Sequence, residues 1–306
     1  MQPPALASPW GPLTVSDAHV HFFSHRFFSL LTAQRPGLTM EELPNLLGGW
    51  QIPASEDPAI LADHWIRELE RHGVAKAALI ASVPADISSV NAAVQLFPER
   101  FHGFTMFDPT HQDAAAILND FPTIQALCFF PALHRYSLHE PKALEAIKAC
   151  AGRAAVFVHC GVLSIGIRKK LGLPIAYDPR FSNPLDLEAI AHMHPNIRFI
   201  IPHFGSGMFR EALMVATQCP NVYLDTSSSN SWMKLEGMDL RGVLHRAYDV
   251  LGPRRLVFGT DSSFFPRGWN RPVFETQATA WYEIGISKED AELIFHANLD
   301  HVLNIS

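Results

Sequence analysis

Two hydrophobic periods alternate along the chain. Short apolar runs rich in β-formers recur eight times, as LTVSDAHVHF, AALIAS, FHGFTMF, IQALCFFP, AVFVHCG, RFIIPHFG, NVYLDTS and RLVFGTDSS. Each reads as a buried strand. The segments between them carry helix-boundary chemistry. Asp57 and Pro58 open PAILADHWIRELERHG, where the aspartate caps, the proline takes the first helical position and Gly73 closes the helix in a left-handed conformation. Asn183 and Pro184 open PLDLEAIAHMH in the same way. Ser137 with Glu140 makes a capping-box spacing before PKALEAIKAC, and Ser287 with Asp290 makes a similar one before AELIFHANLDHVL.

Strand and helix alternate without a composition break that would mark a linker. The pattern predicts a single domain over residues 1–306, built on a parallel sheet with right-handed crossovers. A count of eight strands favours a closed (β/α)8 TIM barrel over an open doubly wound sheet. One connection is unusually long, from about 22 to 56, and carries its own capping-box signal at Thr39 and Glu42. Long insertions after barrel strands tend to be lids or substrate loops.

Composition narrows the function classes. With 48% hydrophobic and 18% charged residues the chain can bury a large core, and no stretch is polar or repetitive enough to read as a disordered tail. A formal charge of −6 argues against a nucleic-acid partner, which would call for a clustered basic face. The first residues, MQPPALASPWGP, lack the basic and apolar regions of a signal peptide, and charged residues or prolines interrupt every apolar run well short of a membrane span. The expectation is a soluble cytoplasmic protein that acts on a small molecule, without membrane or nucleic acid, its homo-oligomeric state left open. Cys128, Cys150, Cys160 and Cys219 show no C-x-x-C spacing and read as free thiols.

Candidate chemistry lies in the histidines. Sixteen of them make a His-x-His pair unremarkable by itself, and the chain holds two: His19 with His21, and His192 with His194. The second pair ends a helix, where a spacing of two turns side chains about 200° apart. The first pair lies on a strand, where the same spacing puts both on one face, which in a barrel points into the lumen. Three other strand runs end in a polar residue: His159, His203 and Asp261. Any one of them alone reads as a hydrogen-bonded strand end. All five together, on strands one, five, six and eight, gather at the C-terminal mouth where barrel chemistry sits.

These motifs, with DAHVHFF, VHCG, NPLDLEAIAHMHPNIRFIIPHFG, CPNVYLDTS and RLVFGTDSSF in this order, resemble the amidohydrolase superfamily. Within it the chain is similar to the amidohydrolase-related branch that includes aminocarboxymuconate-semialdehyde decarboxylase, resorcylate decarboxylase and pyrone-dicarboxylate lactonase. The resemblance covers nearly the whole chain, although Leu299 stands where the branch has a small residue. It implies one divalent metal held by His19, His21, His159 and Asp261, with His203 beside it as an acid/base or polarising group. Two-metal relatives add a carboxylated lysine at strand four, where this chain reads IQALCFFP. Three imidazoles and a carboxylate suit zinc, and accept manganese, iron or cobalt.

Other residues have weaker claims. Arg168, Arg180, Arg267 and Arg271 lie in loops after strands five and eight and could clamp a carboxylate, or could be solvated loop charge. Arg168 and Arg267 are nearest in sequence to ligand-bearing strand ends. Trp50, Trp232 and Trp269 could line a pocket for a planar substrate, Trp232 foremost, or pack within loops. The hydroxyls of Thr226 to Asn230 fit substrate contacts or a turn equally. FGSG, from Phe204 to Gly207, lacks the G-x-S-x-G form and reads as a tight turn, so serine hydrolase chemistry has little support. The expected function is therefore a metal-dependent hydrolase that directs a metal-bound hydroxide at a lactone, ester or amide carbonyl of a small carboxylated or aromatic compound, with Asp261 taking the water's proton. A metal-dependent, non-oxidative decarboxylase, a lyase on the same site, is the alternative. A catalytically silent barrel is the third reading.

Overall fold

The computed structural model describes residues 4–227 and 230–303. A short antiparallel hairpin, β1 (Leu6–Ser8) and β2 (Gly11–Leu13), precedes the barrel and was not expected from the hydrophobic pattern. Its apolar positions are few, and only the Gly11 turn signals it.

Eight parallel strands then follow in chain order, each paired to the next: β3 (Ser16–His21), β4 (Lys76–Ala81), β5 (Phe101–Phe107), β6 (Ile124–Phe129), β7 (Ala155–Val158), β8 (Phe199–Ile201), β9 (Val222–Asp225) and β10 (Leu256–Val257). Every predicted run holds one of them. The ring closes where Ala18 N donates to Phe258 O at 2.9 Å and His21 N to Ser262 O at 2.7 Å, with a parallel bridge between Val20 and Ser262. The fold is a TIM barrel with helices between the strands.

Two apolar layers hold it. The outer one packs strand residues such as Leu79, Phe101 and Phe199 against helix residues such as Trp65, Leu69 and Trp281. The inner one fills the lumen with Ala78, Ile80, Phe104, Cys128 and Phe157, and Leu299 and Val302 of the last helix, with Leu303 just after it, pack against that layer. The terminal segment departs from the single helix predicted. Helix Lys288–Glu292 passes into a π-helical turn, Leu293–Ala297, before Asn298–Val302. The Ile294 carbonyl in that turn accepts from Phe258 N, just after the eighth barrel strand, at 3.0 Å.

The predicted caps are present with two adjustments. Asp57 accepts from Ala59 N, and Gly73 closes that helix at φ 71°. The segment after Asn183 begins as a 3₁₀ turn, Pro184–Leu187, before helix Glu188–Met193. Glu140 accepts from Ser137 N at 2.9 Å, but one turn before its helix, Pro141–Ala149.

Residues 22–56 fold as helices His25–Thr32 and Leu43–Leu46 with a small core of their own. Phe27, Phe28, Leu31, Leu43 and Leu47 pack there against Ile167, Leu171 and Leu173 from the connection after β7. The two longest mouth connections thus share one apolar cluster. No helix among the described residues is long and apolar enough to cross a membrane.

Candidate metal centre and active site

The first strand reaches its site through a bulge. Asp17 pairs with Ala77 but Val20 with Leu79, so β3 carries one extra residue between them. The extra residue lets both Ala18 and His19 face inward: Ala18 belongs to the lumen layer, and the His19 ring meets Phe157 of that layer at 5.4 Å. Val20 turns outward into the outer layer. His21 returns to the mouth, its ring 5.2 Å from that of His19.

Asp261, just beyond β10, meets them from the other side of the closure. It holds a left-handed backbone at φ 58°, rare for a residue with a side chain and concentrated at functional sites. Its Oδ1 lies 3.0 Å from His21 Nε2 and 3.8 Å from His19 Nε2. One ligand atom from each of the three lies within 4.8 Å of the others, and among the described residues this is the group that could hold a metal ion.

The outer nitrogens fit that use. His19 Nδ1 lies 2.6 Å from Asp225 Oδ2, and His21 Nδ1 lies 2.7 Å from Ser82 Oγ. The Ser82 hydroxyl gives its own hydrogen to Ile80 O at 3.3 Å, so it accepts from His21. Both imidazoles therefore carry hydrogen on Nδ1 and turn Nε2 to the centre, the nitrogen whose lone pair a metal would take in place of a proton. Burial works to raise the Asp261 carboxyl, but the hydrogen bond and charge of His21, aided by His19, hold it at about 2. Burial opposes charge on His19 as well, yet Asp225, with Asp261 and Asp17, keeps its pKa above the usual histidine value.

His159 and His203 complete the mouth. His159 follows β7 and stacks on Phe130 at 5.3 Å, with its ring 5.5 Å from His203. It lies beside the compact trio and outside its 4.8 Å circle. Burial, with the neighbouring His203 and His19, pushes its pKa well down. His203 starts five consecutive residues of positive φ, His203 to Gly207, a left-handed turn where the sequence suggested only tightness. The turn brings its ring within 4.9 Å of His19. Gly161 makes the turn possible, because a Cβ there would overlap the carbonyl oxygens of Gly205 and Ser206. Burial and then His19 lower the His203 pKa.

Two of three supporting residues, Asp225 and Asp17, were missed in the sequence, and the third, Ser227, was weighed there as a substrate contact or a turn residue. Asp225 ends β9 with no exposed surface, and it could have been flagged by the rule that found His159: a polar residue closing an apolar run. Ser227 places its Oγ 3.0 Å from His19 Nδ1 and 2.9 Å from His203 Nδ1. Asp17 accepts from His19 N, Thr260 N and Oγ1, and Trp269 Nε1, tying the first strand to the eighth. Burial raises its pKa to about 6. Ser228 and Ser229 of the hydroxyl run lie outside the described residues.

The remaining candidates separate. Arg267 Nη2 donates to Asp261 O at 3.0 Å and Ser263 Oγ at 2.9 Å, and its Cζ lies 4.6 Å over the Phe264 ring. Phe264 stacks on Trp50 at 3.8 Å, Trp50 on Phe23 at 6.0 Å, and Phe23 on His21 at 5.6 Å. An aromatic row thus links the insert to His21. Arg168 gives its Nε hydrogen to Pro174 O. Arg180 pairs with Asp178 and Arg271 with Glu275, both exposed. Trp232 is buried against Phe209 at 6.0 Å, and Trp269 is buried with its indole on Asp17. All four cysteines are buried free thiols, Cys128 in the lumen layer and Cys160 in the outer one. His192 is exposed and pairs with Glu188 on its own helix.

Known proteins share this architecture. Protein fluG of Emericella nidulans is 29% identical over 85 residues, 28% of this chain, and the match spans only 10% of that protein's length. A probable 2-pyrone-4,6-dicarboxylic acid hydrolase from Acinetobacter baumannii, solved with citric acid, superposes with a TM-score of 0.62 at 13% identity over 95% of this chain and 100% of its own. An amidohydrolase from Burkholderia multivorans, solved with zinc, gives 0.62 at 12% identity over 96% and 100%. At these identities the structures establish a common fold. The model of the family described as amidohydrolase matches residues 16–298, from the first barrel strand to the closing helix, and the chain belongs to that family.

Proposed function

We propose that the protein is a metal-dependent hydrolase acting on a lactone, ester or amide carbonyl of a small carboxylated or aromatic compound. The carrying observation is the convergence of His19 Nε2, His21 Nε2 and Asp261 Oδ1 on one point, with both imidazoles fixed from behind. This donor set fits one divalent cation per chain. Zinc is the proposed occupant, and manganese, iron and cobalt suit the same donors. His159 is the neighbour proposed to complete the set. A divalent cation held there supplies Lewis acidity, which lowers the pKa of water toward about 7 and polarises a carbonyl.

The chain's own groups do the rest. Asp261 is ionised across the neutral range and serves as the anionic donor of the set, and His203 stands one ring away as the acid/base group. Arg267, fixed beside the Asp261 backbone, offers its remaining N–H donors to a substrate carboxylate. Trp50 and Phe23 of segment 22–56, with Phe264, offer a flat apolar wall, and the segment serves as a lid that keeps water from the mouth.

The test is turnover of carboxylated lactones, aryl esters and amides by the zinc-loaded protein in ¹⁸O-water. Label in the product carboxylate is the expected outcome. CO₂ release with no label in the product would replace the hydrolase by the decarboxylase reading.

A further inference from the structure

Ser227 is fully buried two residues beyond β9, and three of its polar atoms serve the site. Its N–H donates to Asp225 Oδ1 at 2.5 Å, its Oγ touches Nδ1 of both His19 and His203, and its carbonyl oxygen lies 3.2 Å from His203 Nδ1. A carbonyl oxygen has no hydrogen to give, so the hydrogen of that contact belongs to His203 Nδ1. The opposite tautomer would set a nitrogen lone pair against the carbonyl lone pairs at 3.2 Å. His19 is under the same constraint, since the carboxylate of Asp225 likewise accepts only. The Ser227 hydroxyl oxygen thus faces two N–H groups and shares the His203 hydrogen with its own carbonyl and the His19 hydrogen with Asp225.

We propose that Ser227 is a positioning residue that holds His19 and His203 together in the Nδ1–H tautomer, so that His203 meets the reaction with a bare Nε2, as a proton acceptor. The tautomer follows from the contacts alone; the role as acceptor rests on the hydrolase reading. Of the two parts the resemblance implies for His203, it selects acid/base over polarising. As water attacks and the new C–O bond forms, one water proton passes to His203 Nε2. When the C–O or C–N bond to the leaving group breaks, the imidazolium returns that proton to the departing atom. His21 stands outside this coupling, because Ser82 holds its Nδ1.

The experiment is long-range ¹H–¹⁵N correlation on zinc-loaded, ¹⁵N-histidine protein at pH 8, with His203 assigned by its loss in His203→Gln. The expected wild-type result is a protonated Nδ1 and an unprotonated Nε2 on His203. In Ser227→Ala the Nδ1–H signals of His19 and His203 should both shift and exchange with water at least tenfold faster, with His21 unmoved. Ser82→Ala should do the reverse. A protonated Nε2 on His203 in the wild type overturns the proposal, even if Ser227→Ala fails to fold. So does a Ser227→Ala spectrum in which His19 and His203 stay put or His21 moves equally. No substrate enters this measurement, so a hydrolase reading lost to the ¹⁸O test leaves the tautomer result standing.

Discussion

His19 Nδ1 and Asp225 Oδ2 lie 2.6 Å apart, joining the first barrel strand to the seventh through a carboxylate that no solvent reaches. The carboxylate fixes which nitrogen of His19 faces the metal centre and raises the basicity of that nitrogen. Gly259 allows the approach, because a Cβ there would sit 2.9 Å from both Asp225 Oδ1 and His19 Cβ. Asp225→Asn keeps the shape and loses the charge. Zinc affinity measured against a competing chelator should fall about 10- to 100-fold, with the fold intact by circular dichroism. Unchanged affinity would show that His19 needs no carboxylate behind it.

Metal content should be one ion per chain by elemental analysis. His21→Ala removes a donor whose Nε2 lies 3.0 Å from Asp261 Oδ1 and should leave the purified protein with little metal. His192→Ala should change nothing, since that side chain is exposed on its helix beside Glu188. Two ions per chain would contradict a centre built on one histidine pair and one aspartate.

Gly161 is the tightest backbone contact at the mouth. Any side chain there must push against the carbonyls of the left-handed turn that carries His203, at a φ of 67° that itself disfavours one. The left-handed backbone costs about 1–2 kcal/mol and overpacking about 1–3 kcal/mol more. Gly161→Ala should lower Tm by on the order of 5–10 °C. It should also reduce turnover beyond the loss of folded protein, because His203 moves with the turn.

What could be read from the chain was whatever a strand or helix period imposes. His19, His21, His159, His203 and Asp261 were found because each closes or occupies an apolar run, and the barrel brings such ends together. The helix-end pair His192 and His194 was set aside on period alone, and His192 indeed faces solvent. The bulge at Ala18 and His19 was invisible, since one extra residue leaves the spacing of the pair unchanged while it turns Ala18 inward. Asp225 went unread, and Ser227 was weighed only as a substrate contact or a turn residue, because His19, which both of them touch, is more than two hundred residues away in sequence and no local pattern encodes such a bond. Trp269 could line a pocket or pack within its loop by position alone, and the second holds, with its buried indole bracing Asp17.

Asp86 links the long insert to the barrel, accepting from Ser24 Oγ at 2.7 Å and Ser89 Oγ at 2.6 Å. Burial raises its carboxyl to about 6, against the partial opposition of those two bonds and of Arg26. The folded pKa lies above the unfolded value of 3.8, so the native state binds the proton more tightly. Stability from this group is greatest below pH 4, falls as pH rises to about 6 and then levels, a loss of up to about 3 kcal/mol. Asp86→Asn cannot ionise. Its Tm should gain on the wild type between pH 4 and 6 and keep a constant lead above; parallel curves throughout would mean that Asp86 ionises as freely in the fold as in the unfolded chain.

Arg267 is the side chain on which the proposed carboxylate recognition can be tested. Its Nη2 is committed to Asp261 O and Ser263 Oγ, and its Cζ lies over Phe264, which leaves Nε and Nη1 without a hydrogen bond among the described residues. A bound carboxylate would gain charge-assisted hydrogen bonds worth about 1.5–3 kcal/mol, or roughly 10- to 100-fold in affinity. Lysine keeps the charge but lacks the planar fork and the stacking. For Arg267→Lys, KM for a carboxylated lactone should therefore rise by roughly that factor with kcat within a few-fold of wild type, while the methyl ester of the same lactone shows no change in KM. The paired substrates separate recognition from support. Because Arg267 also holds the backbone of a metal ligand, damage to the centre would lower kcat for both substrates alike, and that result would make Arg267 a brace for Asp261 with no part in choosing the substrate.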